Sequence, residues 1–362
     1  MSLIGTELDK LDTPVLWVDL DLMEKNIDYL SNYFKNAGVN WRPHTKGIKI
    51  PAIAHKLLHA GAIGITCSKL GEAEVMAAAG ISDILVANEV VGEPKLTRLV
   101  NLRRHADVMV VIDDLGNAEA ISIAAQNYGV KIRVLVELDS GMERCGITPG
   151  PGVVEFVKKV ASLPGLHFSG LMAWEGHVTK LQDPTERNNE IARSVGLLVD
   201  SARLCEKAGF SVPIVSCGGT VSYRTAAHIS GVTEIQAGGG IFGDIAYRTA
   251  GAGVNCSLFI LATISSHPIP ERATVNAGRK AMNIEYFMPE VVDRQGIRID
   301  KFSAEHAVLK LDPNVAKVKV GEKLNFIPGY GDLTMFLHNQ LYGIRNKKVE
   351  VIWDIQGRGK LT

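Results

Sequence analysis

The first two thirds of the chain alternate short apolar stretches with helix-like stretches, and this rhythm constrains the fold more than any other feature. Residues 108–112 and 134–138 are almost continuously apolar, as expected of parallel strands that helices cover on both faces. Eight or nine strand–helix repeats fall between residues 15 and 236, which predicts a (β/α)8 TIM barrel. The alternative is a doubly wound sheet with an inserted domain.

The part of the chain after Cys256 has a different rhythm. Strand-like segments follow one another there, with turns between them and no long helix. They lie at residues 258–264, 273–277, 297–299, 307–311, 323–327 and 349–355. This spacing predicts a C-terminal, mostly antiparallel β domain.

The charge balance and the cysteines restrict where such a chain works. Lys and Arg total 39, as do Asp and Glu, so the formal net charge is zero. Without a basic excess, a nucleic-acid or membrane-surface role is disfavoured. The five cysteines show no CxxC spacing, which indicates a reducing compartment and predicts a cytoplasmic protein. The first residues do not form a signal peptide, and no apolar run approaches the roughly 20 residues of a membrane span.

Functional side chains of a barrel follow the carboxyl ends of its strands. Lys46 stands at such a position, because Pro43 stops a short extended run before it. Polar and glycine residues recur at the equivalent positions after the other strands. These positions are residues 67–69, 88–89, 113–114, 139–146, 174–177, 216–220 and 236–240.

Two of these segments are glycine-rich turns at the end of the predicted barrel. Backbone N–H groups of Gly218-Gly219-Thr220 and of Gly238-Gly239 can face a phosphate, and barrels often bind phosphate after strands 7 and 8. A phosphate site facing Lys46 predicts a cofactor whose aldehyde condenses with the lysine amine. Arg144 would then hydrogen-bond a phenolate oxygen of that cofactor, or else form an ion pair with Asp139 or Glu143.

The order of motifs resembles that of the fold-type III pyridoxal-phosphate (PLP) enzymes. Within them, the chain is similar to the D-threonine aldolase and D-serine dehydratase-like family, whose barrel is the alanine racemase N-terminal domain. The motifs that carry the resemblance span nearly the whole chain. They are Thr13-Pro14, Arg42-Pro43-His44-Thr45-Lys46, Glu72-Ala73-Glu74, Glu137-Leu138-Asp139-Ser140-Gly141, Arg144-Cys145-Gly146, Gly218-Gly219-Thr220, Ala277-Gly278-Arg279-Lys280-Ala281, Ser303-Ala304-Glu305-His306, Pro328-Gly329, Asp332 and Gly357-Arg358-Gly359-Lys360.

The resemblance implies a cofactor, a domain division and an assembly. Lys46 would carry PLP, and the first strand would join the β domain. The barrel would then span residues 20–255, and the β domain residues 1–19 and 256–362. The chain would form a homodimer in which the β domain helps to build the partner's active site. The predicted cofactor-binding residues are Lys46, Ser68, Arg144, Trp174, Gly218, Gly219, Thr220, Gly238 and Gly239.

At one position the chain departs from the family pattern. The family holds a divalent metal, such as Mn, Mg or Zn, through a histidine and an aspartate or cysteine two residues later. Here Tyr330 stands at the histidine position, and Asp332 remains as the candidate ligand. A neutral phenol is a poor ligand for such an ion, so Tyr330 is also a candidate acid or base.

The reaction that we expect is cleavage of a D-configured β-hydroxy amino acid, a small-molecule substrate, into glycine and an aldehyde. The predicted catalytic residues are Lys46 and three candidate bases, His44, His177 and Tyr330. His177 has a structural loop role as its alternative. Other readings of the chain are a D-serine dehydratase-like enzyme, a racemase that uses Lys46 and Tyr330, a non-enzymatic PLP carrier, and a Schiff-base aldolase without PLP.

Overall fold

The computed structural model describes residues 3–292 and 294–362. In chain order, the strands are β1 (Val15–Asp19), β2 (Asn40–Trp41), β3 (Ile65–Cys67), β4 (Asp83–Glu89), β5 (Asp107–Ile112), β6 (Ile132–Leu138), β7 (Leu166–Ala173), β8 (Ile214–Cys217), β9 (Glu234–Ile235), β10 (Leu258–Ile269), β11 (Arg272–Val275), β12 (Glu290–Val291), β13 (Ile297–Phe302), β14 (Ala307–Leu311), β15 (Lys323–Ile327), β16 (Gln340–Arg345) and β17 (Lys348–Asp354). The α-helices are α1 (Leu20–Ala37), α2 (Pro51–His59), α3 (Leu70–Ala78), α4 (Glu93–Leu102), α5 (Leu115–Asn127), α6 (Pro151–Ala161), α7 (Pro184–Lys207), α8 (Tyr223–Ala226), α9 (Ile245–Thr249) and α10 (Gly331–Met335).

In the part of the chain that the structure describes, eight parallel strands form the barrel, in the order β3-β4-β5-β6-β7-β8-β9-β2. The ring closes where the chain leaves β2, because His44 pairs in parallel with Thr66 of β3. The predicted (β/α)8 barrel is therefore confirmed. Every residue from Val108 to Ile112 is fully buried, which explains why β5 is apolar along its whole length.

Polar caps set several helix starts around the barrel. The side chains of Asp114 and Asp183 accept the N–H groups of Asn117 at 2.8 Å and Glu186 at 2.7 Å. These bonds satisfy N–H groups that a helix cannot pair internally. They therefore fix the starts of α5 at Leu115 and of α7 at Pro184.

A buried ion cluster lies at the amino ends of the barrel strands. Nε of Arg42 is 3.1 Å from a carboxylate oxygen of Glu234, the first residue of β9, and both side chains are only 2% exposed. The guanidinium also lies 2.5 Å from Asp83, the first residue of β4. Arg42 thus ties the base of the barrel together, on the side opposite to where the strands end.

Within the described residues, the second sheet has nine strands and is mostly antiparallel, as predicted. Its strand β1 pairs antiparallel with β10 and parallel with β16. Trp17 of β1 stacks on Phe259 of β10, with ring centroids 4.6 Å apart. These rings belong to an apolar core that continues through Leu261, Ile344 and Val349.

The strands β12 and β16 and the short helix α10 were not predicted from the sequence. The β16–β17 hairpin turns through Asn346 and Lys347, whose φ values of 50° and 62° are left-handed. Such angles are typical of two-residue hairpin turns, where glycine is commoner than lysine. The missing glycine is the physical reason why the turn signal was weak.

The chain separates into two compact units. One comprises Met1–Tyr29 with Gly239–Arg358, and the other Leu30–Gly238 with Gly359–Thr362. The division of domains at residues 19 and 255 stays a prediction. Among the described residues, no helix has both the length and the apolar character that a membrane span needs.

Candidate active site

Lys46 follows β2 in a segment that the neighbouring strands hold firmly. The His44 N–H donates to the Gln236 carbonyl at 3.0 Å, and the Thr45 N–H donates to the Thr66 carbonyl at 2.7 Å. The backbone approaches so closely that a Cβ on Gly238 would lie 2.0 Å from the carbonyl oxygen of His44. Only glycine fits there, so the second glycine-rich turn packs directly against the lysine segment.

Two cations meet over one indole ring at the carboxyl ends of the strands. Nζ of Lys46 lies 5.1 Å from the ring centroid of Trp174, and Cζ of Arg144 lies 5.0 Å from it. Both distances are typical of cation–π contacts. The structure thereby brings together three residues that were predicted separately, after β2, β6 and β7.

Arg144 has an ion partner that the sequence analysis missed. Its guanidinium lies 3.6 Å from Glu137 at the end of β6. Asp139 instead accepts the N–H groups of Gly141 and Glu143, at 3.0 and 2.9 Å, and shapes the loop. The alternative pairing of Arg144 with Asp139 or Glu143 therefore does not describe this loop.

Further acidic groups lie beside Glu137. Burial, with the neighbouring Glu89 carboxyl, raises the pKa of Glu137 to about 8. Glu89, Asp113 and Cys145 place one ligand atom each within 4.8 Å of one another. In the described part of the chain, these three side chains are the group whose ligand atoms are close enough together to hold a metal ion.

The first glycine-rich turn is bonded mainly to its own surroundings. The Gly219 N–H donates to Oγ of Ser222 at 2.9 Å, and the Gly218 N–H donates to Glu175 at 3.4 Å. Glu175 is 1% exposed and also accepts the Ser222 hydroxyl. The helix that follows, α8, is a single turn, so its dipole adds less to phosphate binding than the sequence suggested.

His44 and His177 have different surroundings. Nδ1 of His44 accepts the Lys46 N–H at 3.3 Å, and burial with nearby Lys46 and Lys49 holds the pKa of His44 well below its usual range. Nε2 of His177 lies 2.8 Å from Glu190, while its buried Nδ1 has no partner among the described residues. His177 is thus an oriented imidazole with one nitrogen available.

Tyr330 and Asp332 form a hydrogen-bonded pair in the other compact unit. The Tyr330 hydroxyl donates to Oδ2 of Asp332 at 2.9 Å, and the Tyr247 hydroxyl is hydrogen-bonded to it. Burial and the Asp332 carboxylate raise the pKa of Tyr330 above its usual range. Asp244, whose pKa burial raises to about 7, accepts the Gly331 N–H at 2.7 Å and fixes the backbone between them.

The residues around Lys46 fit pyridoxal phosphate. An amine and a guanidinium converge over one aromatic ring, and glycines line the two adjoining turns. Ser68 was predicted to bind the cofactor, and its hydroxyl donates to Glu72 at 2.9 Å. The residue-by-residue cofactor roles remain predictions.

A closed barrel with a lysine at the mouth, followed by a mostly antiparallel domain, defines an enzyme of the alanine racemase-like class. Residues 18–246 match the family described as alanine racemase, N-terminal domain, and residues 257–344 match the putative serine dehydratase domain. The chain belongs to this family of two-domain proteins, which implies PLP as cofactor.

Relatives of known activity match over nearly the full length. A 3-hydroxy-D-aspartate aldolase of Paracoccus denitrificans (strain Pd 1222) is 34% identical, over 99% of this chain and 95% of that protein. A D-threonine aldolase of Arthrobacter sp is 35% identical, over 98% of this chain and 95% of that protein. The crystal structure of D-threonine aldolase from Filomicrobium marinum superimposes with a TM-score of 0.97 at 34% identity and covers 100% of both chains.

Proposed function

We propose that the protein is a PLP-dependent lyase that cleaves D-configured β-hydroxy amino acids into glycine and an aldehyde. The observation that carries the proposal is the convergence of Lys46 and Arg144 on the Trp174 ring, at 5.1 and 5.0 Å. The aldolase names of two full-length relatives support the choice of reaction.

The chain's own residues supply binding, charge and proton transfer. PLP, when bound, supplies the electron sink for the carbanion that forms when the Cα–Cβ bond breaks. The Lys46 amine would anchor that group, and Arg144 would keep a fixed positive charge beside it. The acceptor for the proton of the β-hydroxyl group is Nδ1 of His177, because Glu190 holds the ring and Nδ1 has no partner among the described residues.

The Tyr330–Asp332 pair does not fit the divalent metal that the family pattern implies. The Tyr330 hydroxyl donates to Oδ2 of Asp332, one of the two oxygens that could ligate a cation. A phenol that keeps its proton offers a poor lone pair to a hard or borderline cation. Among the described residues, the three-ligand group lies instead at Glu89, Asp113 and Cys145. We infer that cleavage does not require a metal at Asp332.

The same pair weighs against the other reactions. A tyrosine that serves as a racemase base must lose its proton, whereas the pKa of Tyr330 lies above its usual range. Dehydration would need assisted loss of hydroxide, for which a metal is the usual Lewis acid. Retro-aldol cleavage needs a base that takes the hydroxyl proton and a proton that returns to Cα to give glycine, but no hydroxide has to depart, which favours the lyase.

The quaternary and cellular settings are also proposals. We propose a homodimer, on the resemblance described above. We propose a cytoplasmic setting because the cysteines are free, with Cys67, Cys205 and Cys217 buried as thiols.

The products formed from D-threonine and L-threonine test the proposed reaction. We expect PLP-loaded protein to release equimolar glycine and acetaldehyde from the D-enantiomer and none from the L-enantiomer. Aldehyde is measured by a coupled reductase and glycine by chromatography. Ammonia with 2-oxobutanoate would identify a dehydratase instead, and inversion at Cα without aldehyde would identify a racemase.

A further inference from the structure

A fully buried carboxylate, Glu72, lies directly under the segment that carries Lys46. It belongs to the first turn of α3 and is 0% exposed. Its Oε1 accepts the Thr45 hydroxyl at 2.5 Å, and its Oε2 accepts the Ser68 hydroxyl at 2.9 Å. Nζ of Lys49 completes the set at 3.2 Å from Oε2. One carboxylate therefore binds three donors from two neighbouring loops.

Two of these donors flank Lys46 in sequence. Thr45 precedes it and Lys49 follows three residues later, and the Lys49 N–H donates to the Thr45 carbonyl at 2.9 Å. Thr45 and Lys49 thus form a tight turn that has Lys46 within it. Glu72 holds both ends of this turn, so it limits how the base of the Lys46 side chain can move.

The turn stores backbone strain at Lys49. Its φ of 56° is left-handed, a conformation that is unfavourable for a non-glycine residue and persists only where the surroundings impose it. The Lys49 side chain is only 8% exposed and pairs with Glu72. The ion pair is the interaction that keeps Lys49 in this conformation, and strain of this kind is characteristic of functional sites.

We propose that Glu72 is a positioning residue that fixes Lys46 through Thr45 and Lys49. Its kinetic consequence rests on the proposed lyase function, whereas its effect on the bound cofactor does not. Removing one group of this hydrogen-bonded set leaves a buried charge or hydroxyl without its partner, which is costly. The turn then relaxes to reduce that cost. Lys46 then loses its fixed direction, and a misplacement of about 1 Å can cost about 100-fold in rate.

The test compares Glu72→Gln and Thr45→Val with the unsubstituted full-length protein, all loaded with PLP. For Glu72→Gln we expect kcat per bound cofactor to fall about 10- to 100-fold with little change in KM. We also expect the visible circular-dichroism band of the cofactor to weaken, because that band reports a fixed orientation. Thr45→Val removes one donor at constant shape and should change both readouts in the same direction, to a smaller extent.

Glu74→Gln is the matched control. Glu74 lies on the same helix but pairs with Arg98, at 2.8 and 2.7 Å, so both readouts should stay unchanged. A lower melting temperature for Glu72→Gln with an unaltered dichroism band would reduce Glu72 to a purely structural role and overturn the proposal. If Glu72→Gln does not fold, Thr45→Val decides by the same two readouts. If no protein cleaves D-threonine, the lyase function fails, and the dichroism band still decides the role of Glu72.

Discussion

Lys46→Ala will lose both its cofactor absorbance and its activity. We expect no protein-bound cofactor band once excess PLP has been removed, and a decrease in kcat/KM of at least about 10³-fold, because the amine of Lys46 is no longer there to anchor the cofactor. Absorbance spectra and aldehyde release from D-threonine measure the two effects. The structure supports this expectation, since Lys46 lies 5.1 Å from the Trp174 ring.

Lys69→Ala is the control for Lys46→Ala. Lys69 follows β3 and occupies the residue position before α3 without a side-chain capping bond, so it is a second lysine at the same end of the barrel. The control should keep its band and its activity. A band that survives in Lys46→Ala but vanishes in Lys69→Ala would move the anchor to Lys69 and contradict the assignment.

The second large effect concerns stability and lies at the opposite end of the barrel. Arg42→Ala will lower the free energy of unfolding by about 3–5 kcal/mol, because it leaves the Glu234 carboxylate buried without its cation. Both side chains are only 2% exposed, so water cannot replace the lost partner. Urea denaturation followed by far-ultraviolet circular dichroism measures the change.

A double variant separates the buried charge from lost packing. Arg42→Met with Glu234→Leu removes both charges and keeps apolar volume, so it should recover most of the lost stability. Asp83 would still have Arg133 nearby, at 4.0 Å. The result would contradict this view of the cluster if Arg42→Ala lowered the free energy of unfolding by less than about 1 kcal/mol. A loss of that size is typical of an exposed ion pair.

The barrel was predictable from the sequence because its signal is local. A strand that is apolar along its whole length, such as β5, is distinguishable in the sequence from a strand in which apolar and polar residues alternate. When such strands recur between helices, only a few folds are compatible with the pattern. That Lys46, Arg144 and Trp174 lie at the same end of the barrel was predictable for the same reason, since each lies in a segment that follows a strand. The single motif from Arg42 to Lys46 nevertheless divides in the structure. Arg42 stabilises the base of the barrel, while Lys46 lies at the mouth.

The residues that support the site were not predictable in this way. Glu137 acts through Arg144, which lies in the loop after its strand. Glu72 acts through Thr45 and Lys49, which lie in a different loop more than 20 residues earlier. Periodicity reports which face of an element is buried but not which side chain meets which. The missed strand β16 has a further cause, because its turn uses Asn346 and Lys347 where glycine is the usual signal.

The hydrogen bond from Tyr330 to Asp332, at 2.9 Å, likewise needed the structure. From the sequence, Tyr330 was the residue that replaces a metal-ligand histidine, and it was a candidate acid or base. Its bond to Asp332 and its raised pKa leave it a neutral donor that occupies the carboxylate. This pairing is the basis of our proposal that the lyase cleaves its substrate without a metal at Asp332.

Aldehyde release from D-threonine by metal-stripped protein tests this claim most directly. The protein is treated with a chelator, reloaded with PLP and assayed with and without Mn²⁺, alongside Tyr330→His, which restores the family's histidine. We predict equal rates of aldehyde release for the unsubstituted protein under both conditions, and bound Mn²⁺ with a metal-dependent rate only for Tyr330→His. A rate that collapses in the unsubstituted protein after chelation and returns with Mn²⁺ would contradict the account.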